Sequence, residues 1–243
     1  MSNIYSTLPP DVEHRISAWQ QVRFRAARKP EPVLGPTITL SRQFGCEAFP
    51  LAKRLEEILG ENAKRPWVIY DRTLIEQVAR DTGISLYLLK ELGDPDSDLD
   101  LLGLNASGHM THREAFEAVA RHLRDIAAKG NAIVIGRGGA ALCRSMKNCY
   151  HFRIEARLDW RIASLAQRLG IPAAEARHRI QTSGAHREHF LNSCVGSEIS
   201  DFSLYDAVFN NERHSVEQMA AAIVAYVRKA WPDQGSRLMY RTA

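Results

Sequence analysis

Charged and polar residues stand directly after the apolar segments that predict β-strands. Ser41 and Arg42 follow the first such segment. Asp71 and Arg72 follow the second, and Arg137 follows the third. In parallel α/β sheets, ligands bind at the carboxyl ends of the strands. Phosphoryl transfer mainly needs charge neutralisation and alignment, which arginines and loop amides supply. The pattern therefore predicts a phosphate-binding edge.

The turn after the first strand is the leading candidate for holding phosphate. It joins a β-branched segment to an amphipathic helix, and helix N-termini bind anions. The turn contains, in order, Gly45, Cys46, Glu47, Ala48 and Phe49. It lacks the lysine and the Ser/Thr of the G-x-x-x-x-G-K-[ST] pattern. We expect backbone amides to bind phosphate here, Arg42 to be the missing cation and Glu47 to point outward.

The spacing of the cysteines predicts reduced thiols and no structural zinc site. Cys46, Cys143, Cys149 and Cys194 form no C-x-x-C pair. At a helix N-terminus the thiol of Cys46 would have a lowered pKa and raised reactivity. The alternative is an inert small residue, which we favour because no partner base is evident.

Arginines are dense from the fourth predicted strand onward. Helical spacing places three of them, Arg157, Arg161 and Arg168, near one face, and Arg187 lies further along. We expect this helical segment to close over phosphates as a lid, with most of the remaining arginines on the surface.

Five apolar segments alternate with helical patterns. The strands are predicted at residues 33–40, 67–70, 132–136, 150–154 and 205–210. Helices are predicted at 12–27, from the turn to 59, and at 72–80, 84–92, 111–129, 158–169, 172–181, 185–193 and 216–228. Gly60 and Gly130 should end their helices, and Ser215 should cap the last one. The alternation predicts an α/β fold, a doubly wound five-stranded parallel sheet.

Composition restricts the partners. The chain has 243 residues and a net charge of +4, too weak to indicate nucleic acid. No apolar segment approaches the ~20 residues of a membrane span, and the first ten residues do not resemble a signal peptide. We therefore expect a cytoplasmic protein. Its predicted parts are an N-terminal helical extension (1–32), one large domain (33–230) with its lid at about 157–200, and a tail (231–243).

Other chemistries fit less well. The stretch from Gly136 to Gly139 lacks the full G-x-G-x-x-G dinucleotide fingerprint. The two histidine pairs at i, i+3 spacing, 109/112 and 186/189, have no further ligands in view, so we predict no metal site of the protein's own. No G-x-S-x-G nucleophile elbow is present.

Five segments in order resemble the cytidylate kinase-like family of P-loop nucleoside-monophosphate kinases. They are ITLSRQFG (38–45), YDRTLI (70–75), VIGRG (134–138), the stretch from 156 to 162 that ends in Arg161-Ile162, and YDAVFN (205–210). The resemblance covers roughly residues 37–227. It departs where the family has G-S-G-G-R and this chain has GCEAF, and where the lid motif D-x-x-R becomes GAHR.

The resemblance implies a P-loop kinase type of fold with a helical lid, acting on small-molecule nucleotides. The γ-phosphoryl of ATP, accompanied by Mg²⁺, would pass to a nucleoside monophosphate, with CMP as the first candidate. Residues 41–49 would cradle the ATP phosphates. Arg42, Arg161 and Arg187 would be catalytic. Acceptor binding would fall to Asp71, Arg72, Gly136 and Arg137.

Two alternatives remain open from the sequence. The altered turn is compatible with a catalytically degenerate module of the same fold that senses nucleotides or binds a partner. The second alternative is a kinase that phosphorylates an unrelated small molecule. The sequence leaves the oligomeric state open.

Overall fold

A computed structural model describes residues 35–61, 63, 65–71, 112–136, 138–190 and 201–231, with helix residues 112–116, 118, 119 and 183–190 described by their backbone alone. The predicted helices at 12–27, 72–80 and 84–92 lie outside the described residues. Nearly all of the C-terminal tail does too.

The described strands form one parallel sheet, which confirms the predicted fold class. The strands are β1 (Thr37–Arg42), β2 (Val68–Tyr70), β3 (Ala132–Ile135), β4 (Cys149–Glu155) and β5 (Ala207–Asn210). Their order is β2-β3-β1-β4-β5. The central strand β1 therefore pairs with β3 on one side and with β4 on the other. The carboxyl ends of these three strands meet at one edge.

The central strand is longer at its carboxyl end than the sequence predicted. The apolar pattern stops at Leu40, whereas β1 continues through Ser41 and Arg42. These two residues pair with Arg153 and Ile154 of β4. Backbone pairing with a neighbour, rather than apolarity, sets the strand end and fixes the polar residues there.

Six α-helices and a short 3-10 helix complete the described part. They are α1 (Ala48–Gly60), α2 (His112–Lys129), α3 (Gly139–Cys143), α4 (Leu158–Leu169), α5 (Ala173–Phe190), the 3-10 helix (Phe202–Leu204) and α6 (Val216–Ala230). The Ser215 side chain caps α6 in a capping box with Gln218, as predicted from its type. None of the described helices is long and apolar enough to cross a membrane.

Two helix predictions were wrong. The segments predicted at 172–181 and 185–193 form one helix to Phe190, because Gly184 weakens a helix without ending it. Gly60 is not a left-handed cap: it is the last helical residue, and Glu61 continues the turn with φ −49°. The N–H of Glu61 donates to the Glu57 carbonyl at 3.2 Å.

The two faces of the sheet differ in polarity. Helices α1 and α6 cover one face, where Ile38, Leu40, Phe152 and Ile154 belong to the main apolar core. Side chains alternate along a strand, so the other face carries a polar strip along β1 and β4. The strip consists of Thr37, Thr39, Ser41, His151 and Arg153. It leads from the buried middle of the sheet to the carboxyl edge.

Acid should weaken the fold through His151 in this strip. The buried ring shares a 2.8 Å hydrogen bond with the Thr39 hydroxyl. Burial lowers the pKa of His151 below its ordinary 6.5, and the Asp206 carboxylate opposes this less strongly. The unfolded chain therefore binds the proton first, and the free energy of unfolding should fall as pH drops below about 6.5. Urea titrations across pH 5–8 should show this fall, and His151→Gln should reduce it. An equal fall in both proteins would contradict the assignment.

A pair of glycine substitutions tests the corrected end of α1. Gly60 and Gly170 both face open space, but Gly170 has φ +65°. Gly60→Ala should stabilise the protein by roughly 0.5–1 kcal/mol, because it removes unfolded-state entropy without strain. Gly170→Ala should destabilise it by roughly 1–2 kcal/mol through the left-handed backbone. Urea denaturation measures both, and destabilisation by Gly60→Ala would restore the predicted cap.

Candidate functional site

The turn between β1 and α1, residues 43–47, forms a tight loop that its neighbours hold in place. Gly45 has φ +97°, and a side chain there would bring a Cβ within 2.8 Å of the Arg161 Cβ. Glycine is therefore required both by the backbone and by the close approach of α4. The N–H of Gln43 donates to the Ile154 carbonyl at 3.0 Å, and its side-chain oxygen accepts from the Ala156 N–H at 3.1 Å.

Two arginines of α4 bind the backbone of this loop. Arg161 donates to the carbonyl of Phe44 at 3.1 Å and to that of Ala156 at 3.0 Å. Arg168 donates to the carbonyl of Gly45. Two of the three arginines predicted to share one face, Arg161 and Arg168, are thus directed at the loop. The prediction was wrong for Arg157, which precedes the helix and pairs with Glu212 instead. Because a peptide group is planar and trans, a Phe44 carbonyl turned toward α4 points the N–H of Gly45 the opposite way.

Two hydrogen bonds hold Glu47 to Asn211, a residue that the sequence pattern did not single out. The Glu47 N–H donates to the Asn211 Oδ1 at 2.7 Å, and the Asn211 Nδ2 donates to the Glu47 carboxylate at 3.1 Å. Asn211 is buried, and its own N–H donates to the Glu155 carbonyl at 2.7 Å. The expectation of an outward-pointing acid in the first helical turn was therefore wrong. Glu47 is the residue before the helix and is tied to the segment after β5.

A few backbone N–H groups of the loop are available to bind a ligand. The N–H of Cys46 donates to the Gln43 carbonyl at 3.2 Å, and the N–H of Glu47 is held by Asn211. Pro50 has no N–H to offer. Within the residues that the structure describes, the amides of Gly45 and Ala48 have no acceptor. Two backbone donors at a helix N-terminus suit one phosphate group.

Cys46 does not have the environment of a reactive thiol. Its side chain is buried beneath the loop. Burial raises its pKa from 9.0 to about 12, although Arg161 and Arg168 act in the opposite direction. The structure therefore supports the inert alternative, and the expectation of a lowered pKa at the helix N-terminus was wrong. Desolvation exceeds the effect of the helix and of the neighbouring charges.

Arg42 and Gly136 lie together at the carboxyl edge. A Cβ added to Gly136, which has φ +71°, would lie 1.9 Å from the Arg42 Nη1. The guanidinium of Arg42 thus occupies the space that a side chain at the end of β3 would fill. The sequence assigned Arg42 to the phosphate loop and Gly136 to the acceptor, and the structure brings these residues into contact.

The structure gives fewer contacts for the other predicted site residues. Asp71 follows β2, which pairs with β3 and not with β1. Phe49 is in the first turn of α1 and is partly exposed. Arg187 lies in α5, which is described there by its backbone alone. Arg72 and Arg137 lie outside the described residues.

Sequence reasoning missed Asn211, the part played by Arg168, and a cluster around Arg153. Arg153 is buried near the end of β4, and its Nε donates to the Glu155 carboxylate at 2.5 Å. Its guanidinium lies 5.6 Å from the centre of the Tyr205 ring. The Tyr205 and Ser41 hydroxyls are 3.3 Å apart. The available signal was an arginine between the apolar residues Phe152 and Ile154 of a predicted strand.

The residues present suit a magnesium ion that arrives with a phosphate ligand. Among the described residues, no group of three or more His, Cys, Asp or Glu side chains is arranged to hold a metal. Phe49 also supplies no hydroxyl in the turn. Mg²⁺ commonly binds through phosphates, waters and one or two carboxylates. Asp71, directly after β2, is a carboxylate at this edge, whereas the Glu155 carboxylate at the end of β4 is paired with Arg153.

Comparison with known proteins assigns the family. Residues 37–213 match the sequence profile of the cytidylate kinase-like family. This chain belongs to that family. A cytidylate kinase of Pyrococcus horikoshii is 25% identical over 203 residues, covering 82% of this chain and 93% of the relative. A cytidylate kinase of Methanopyrus kandleri is 24% identical over 200 residues, covering 78% of this chain and 92% of the relative.

A solved structure supports the fold. An uncharacterised protein from Eubacterium ventriosum superimposes with a TM-score of 0.59 at 17% identity, over 79% of this chain and 98% of that one. The resemblance in the five sequence motifs is therefore confirmed for the family and for the α/β fold. The cytidylate kinase-like family is one of nucleotide-binding kinases.

Substituting Gly136 tests the contact with Arg42. Gly136→Ala should displace the Arg42 guanidinium. Because we propose that Arg42 binds a nucleotide phosphate, ADP binding should weaken roughly tenfold, the loss of about one charge-assisted hydrogen bond. Gly170→Ala is the matched control, because it has a similar φ, +65° against +71°, and open space around it. Isothermal titration measures both. Equal ADP affinity in the two variants would contradict a role for the Arg42–Gly136 contact.

Proposed function

We propose that the protein transfers the γ-phosphoryl group of ATP to a nucleoside monophosphate, with CMP as the first acceptor to test. The observation that carries the proposal is the contact of Arg42 with Gly136 beside the loop. Through this contact, the cation at the end of β1 lies beside the end of β3, where the acceptor is expected to bind. In-line transfer places the attacking acceptor oxygen opposite the leaving oxygen, so the donor and acceptor phosphate sites must adjoin each other.

The loop would bind the donor phosphates. The amides of Gly45 and Ala48 supply hydrogen bonds, and Arg42 supplies charge where the loop has no lysine. Such fixed donors stabilise the charge that develops during transfer without reorganising. Arg161 contributes by holding the loop through the Phe44 carbonyl. Arg187, on α5, is assigned to the transferring phosphoryl group by the family resemblance.

The acceptor site would lie toward β3 and β2. Asp71, Arg72, Gly136 and Arg137 are assigned to it from their positions after these strands. Support for CMP comes from two relatives named cytidylate kinase, at 25% and 24% identity. Mg²⁺ would enter with ATP. A cytoplasmic location is proposed with this activity, since Cys46, Cys143 and Cys149 are free thiols.

A coupled ADP-release assay with CMP, UMP, dCMP, AMP and GMP tests the proposal. CMP should give turnover, and Arg42→Ala should reduce kcat/KM by roughly a hundredfold or more, as loss of a charge-stabilising group does. Arg54→Met is the control: it removes the same charge from a residue that pairs with Glu57 and Glu217 on the outside of α1. It should leave turnover unchanged.

The assay also separates the alternatives. Binding of ATP-Mg²⁺ or CMP without turnover of any monophosphate would support the degenerate, nucleotide-sensing module. Turnover of a different small molecule would replace the acceptor and keep the phosphoryl transfer. The absence of heat with ATP-Mg²⁺ and with CMP at millimolar concentrations would overturn the proposal.

A further inference from the structure

Arg153 is a buried cation at the carboxyl edge whose hydrogen bonds are incompletely used. Its side chain is 5% exposed, and its Nε pairs with a Glu155 carboxylate that is 30% exposed. A guanidinium has five N–H donors, and this ion pair uses the Nε donor. In the described part of the chain, no acceptor binds the two terminal nitrogens, Nη1 and Nη2.

The terminal nitrogens of Arg153 are not fully enclosed. The described residues contain one fully enclosed side-chain polar atom without a hydrogen-bond partner, and it is not in Arg153. Both Nη atoms therefore keep some contact with solvent, in a side chain that is 5% exposed overall. Burying a guanidinium is costly unless its donors are satisfied. Donors that remain open at a ligand-binding edge suit an anion.

The surroundings fix where this anion would sit. Arg153 pairs in register with Ser41 of β1, next to the phosphate loop. The Tyr205 ring lies against the guanidinium, and the Tyr205 hydroxyl contacts Ser41. The Arg153 charge also acts on the thiol of Cys46 inside the loop. The cation–π contact and the ion pair restrict the guanidinium, and a preorganised anion site requires such restriction.

We propose that Arg153 binds a phosphate group of the bound nucleotide through its terminal nitrogens, and that Glu155 occupies the guanidinium when no ligand is present. This inference rests on the proposed function for the identity of the ligand. The chemistry is that of a phosphate oxygen accepting from a guanidinium fork. A donor and an acceptor nucleotide share this chemistry, so the test includes both.

A purely structural ion pair is the competing explanation, and Glu155 distinguishes the two. If the pair only stabilises the fold, neutralising Glu155 costs stability and leaves phosphate affinity unchanged. If Glu155 competes with phosphate, neutralising it frees the guanidinium. Glu155→Gln should then bind phosphate ligands more tightly than the unmodified protein. The Asn211 N–H bonds to the backbone carbonyl of Glu155, which this substitution leaves in place.

The experiment is isothermal titration of the full chain at fixed ionic strength with pyrophosphate, ADP and CMP, and with adenosine and cytidine as phosphate-free controls. Arg153→Met should weaken at least one phosphate ligand roughly tenfold to a hundredfold, the value of a charged hydrogen bond or pair of bonds. Arg153→Lys should restore part of this affinity, and Glu155→Gln should strengthen it several-fold. Arg54→Met, an equal change of charge, should have no effect. A selective loss for ADP identifies the donor, and a selective loss for CMP identifies the acceptor.

Folding is checked by urea denaturation of every variant. The double variant Arg153→Met with Glu155→Gln has no unpaired charge and serves if Arg153→Met alone is unstable. Nucleotide binding that is independent of Arg153 would overturn the inference and leave the proposed function standing. Arg153-dependent pyrophosphate binding without nucleotide binding would overturn the proposed function and the nucleotide as ligand, and would leave Arg153 as a phosphate-binding residue. No binding of any phosphate ligand would overturn both.

Discussion

The shape of the loop between β1 and α1 depends on two of its backbone carbonyls. Arg161 and Arg168 hold the carbonyls of Phe44 and Gly45 toward α4. Since peptide groups are planar, fixing a carbonyl also fixes the direction of the following amide. The amide of Gly45 is thereby directed away from α4. A loop without these contacts would have to order itself around each ligand, at a cost of about 1–2 kcal/mol per residue fixed.

Asn211 fixes the position of a glutamate in the loop that we propose binds phosphate. A free Glu47 carboxylate would repel phosphate at short range. The Asn211 amide instead binds the Glu47 backbone and its carboxylate together, so that the negative group is fixed beside β5. Glu47 then acts as a structural residue. The family's G-S-G-G-R sequence and this chain's GCEAF sequence differ in side chains, while phosphate binding through amides depends on backbone shape.

The sequence predicted what depends on local pattern and missed what depends on distant contacts. Apolar segments alternating with amphipathic ones predicted the parallel sheet, and position after a strand predicted that Arg42 and Gly136 lie at one edge. Asn211 and Glu47 are 164 residues apart, and no local pattern relates them. The raised pKa of Cys46 likewise follows from tertiary burial, which overrode the helix-terminus argument. Arg153 was hidden because an arginine within a strand resembles an ordinary surface residue until the register is known.

The origin of the positive charge distinguishes this site from a lysine-bearing loop. A lysine carries its charge on a flexible stem that must be immobilised when ligand binds. Here Arg42 and Arg153 extend from strands held in register, and Arg161 and Arg168 extend from a packed helix. Their orientations are fixed before ligand arrives, which lowers the cost of binding. The same arrangement makes the loop depend on α4: a displacement of that helix would release the carbonyls of Phe44 and Gly45 and move two cations together. The position of α4 and the shape of the loop are therefore coupled.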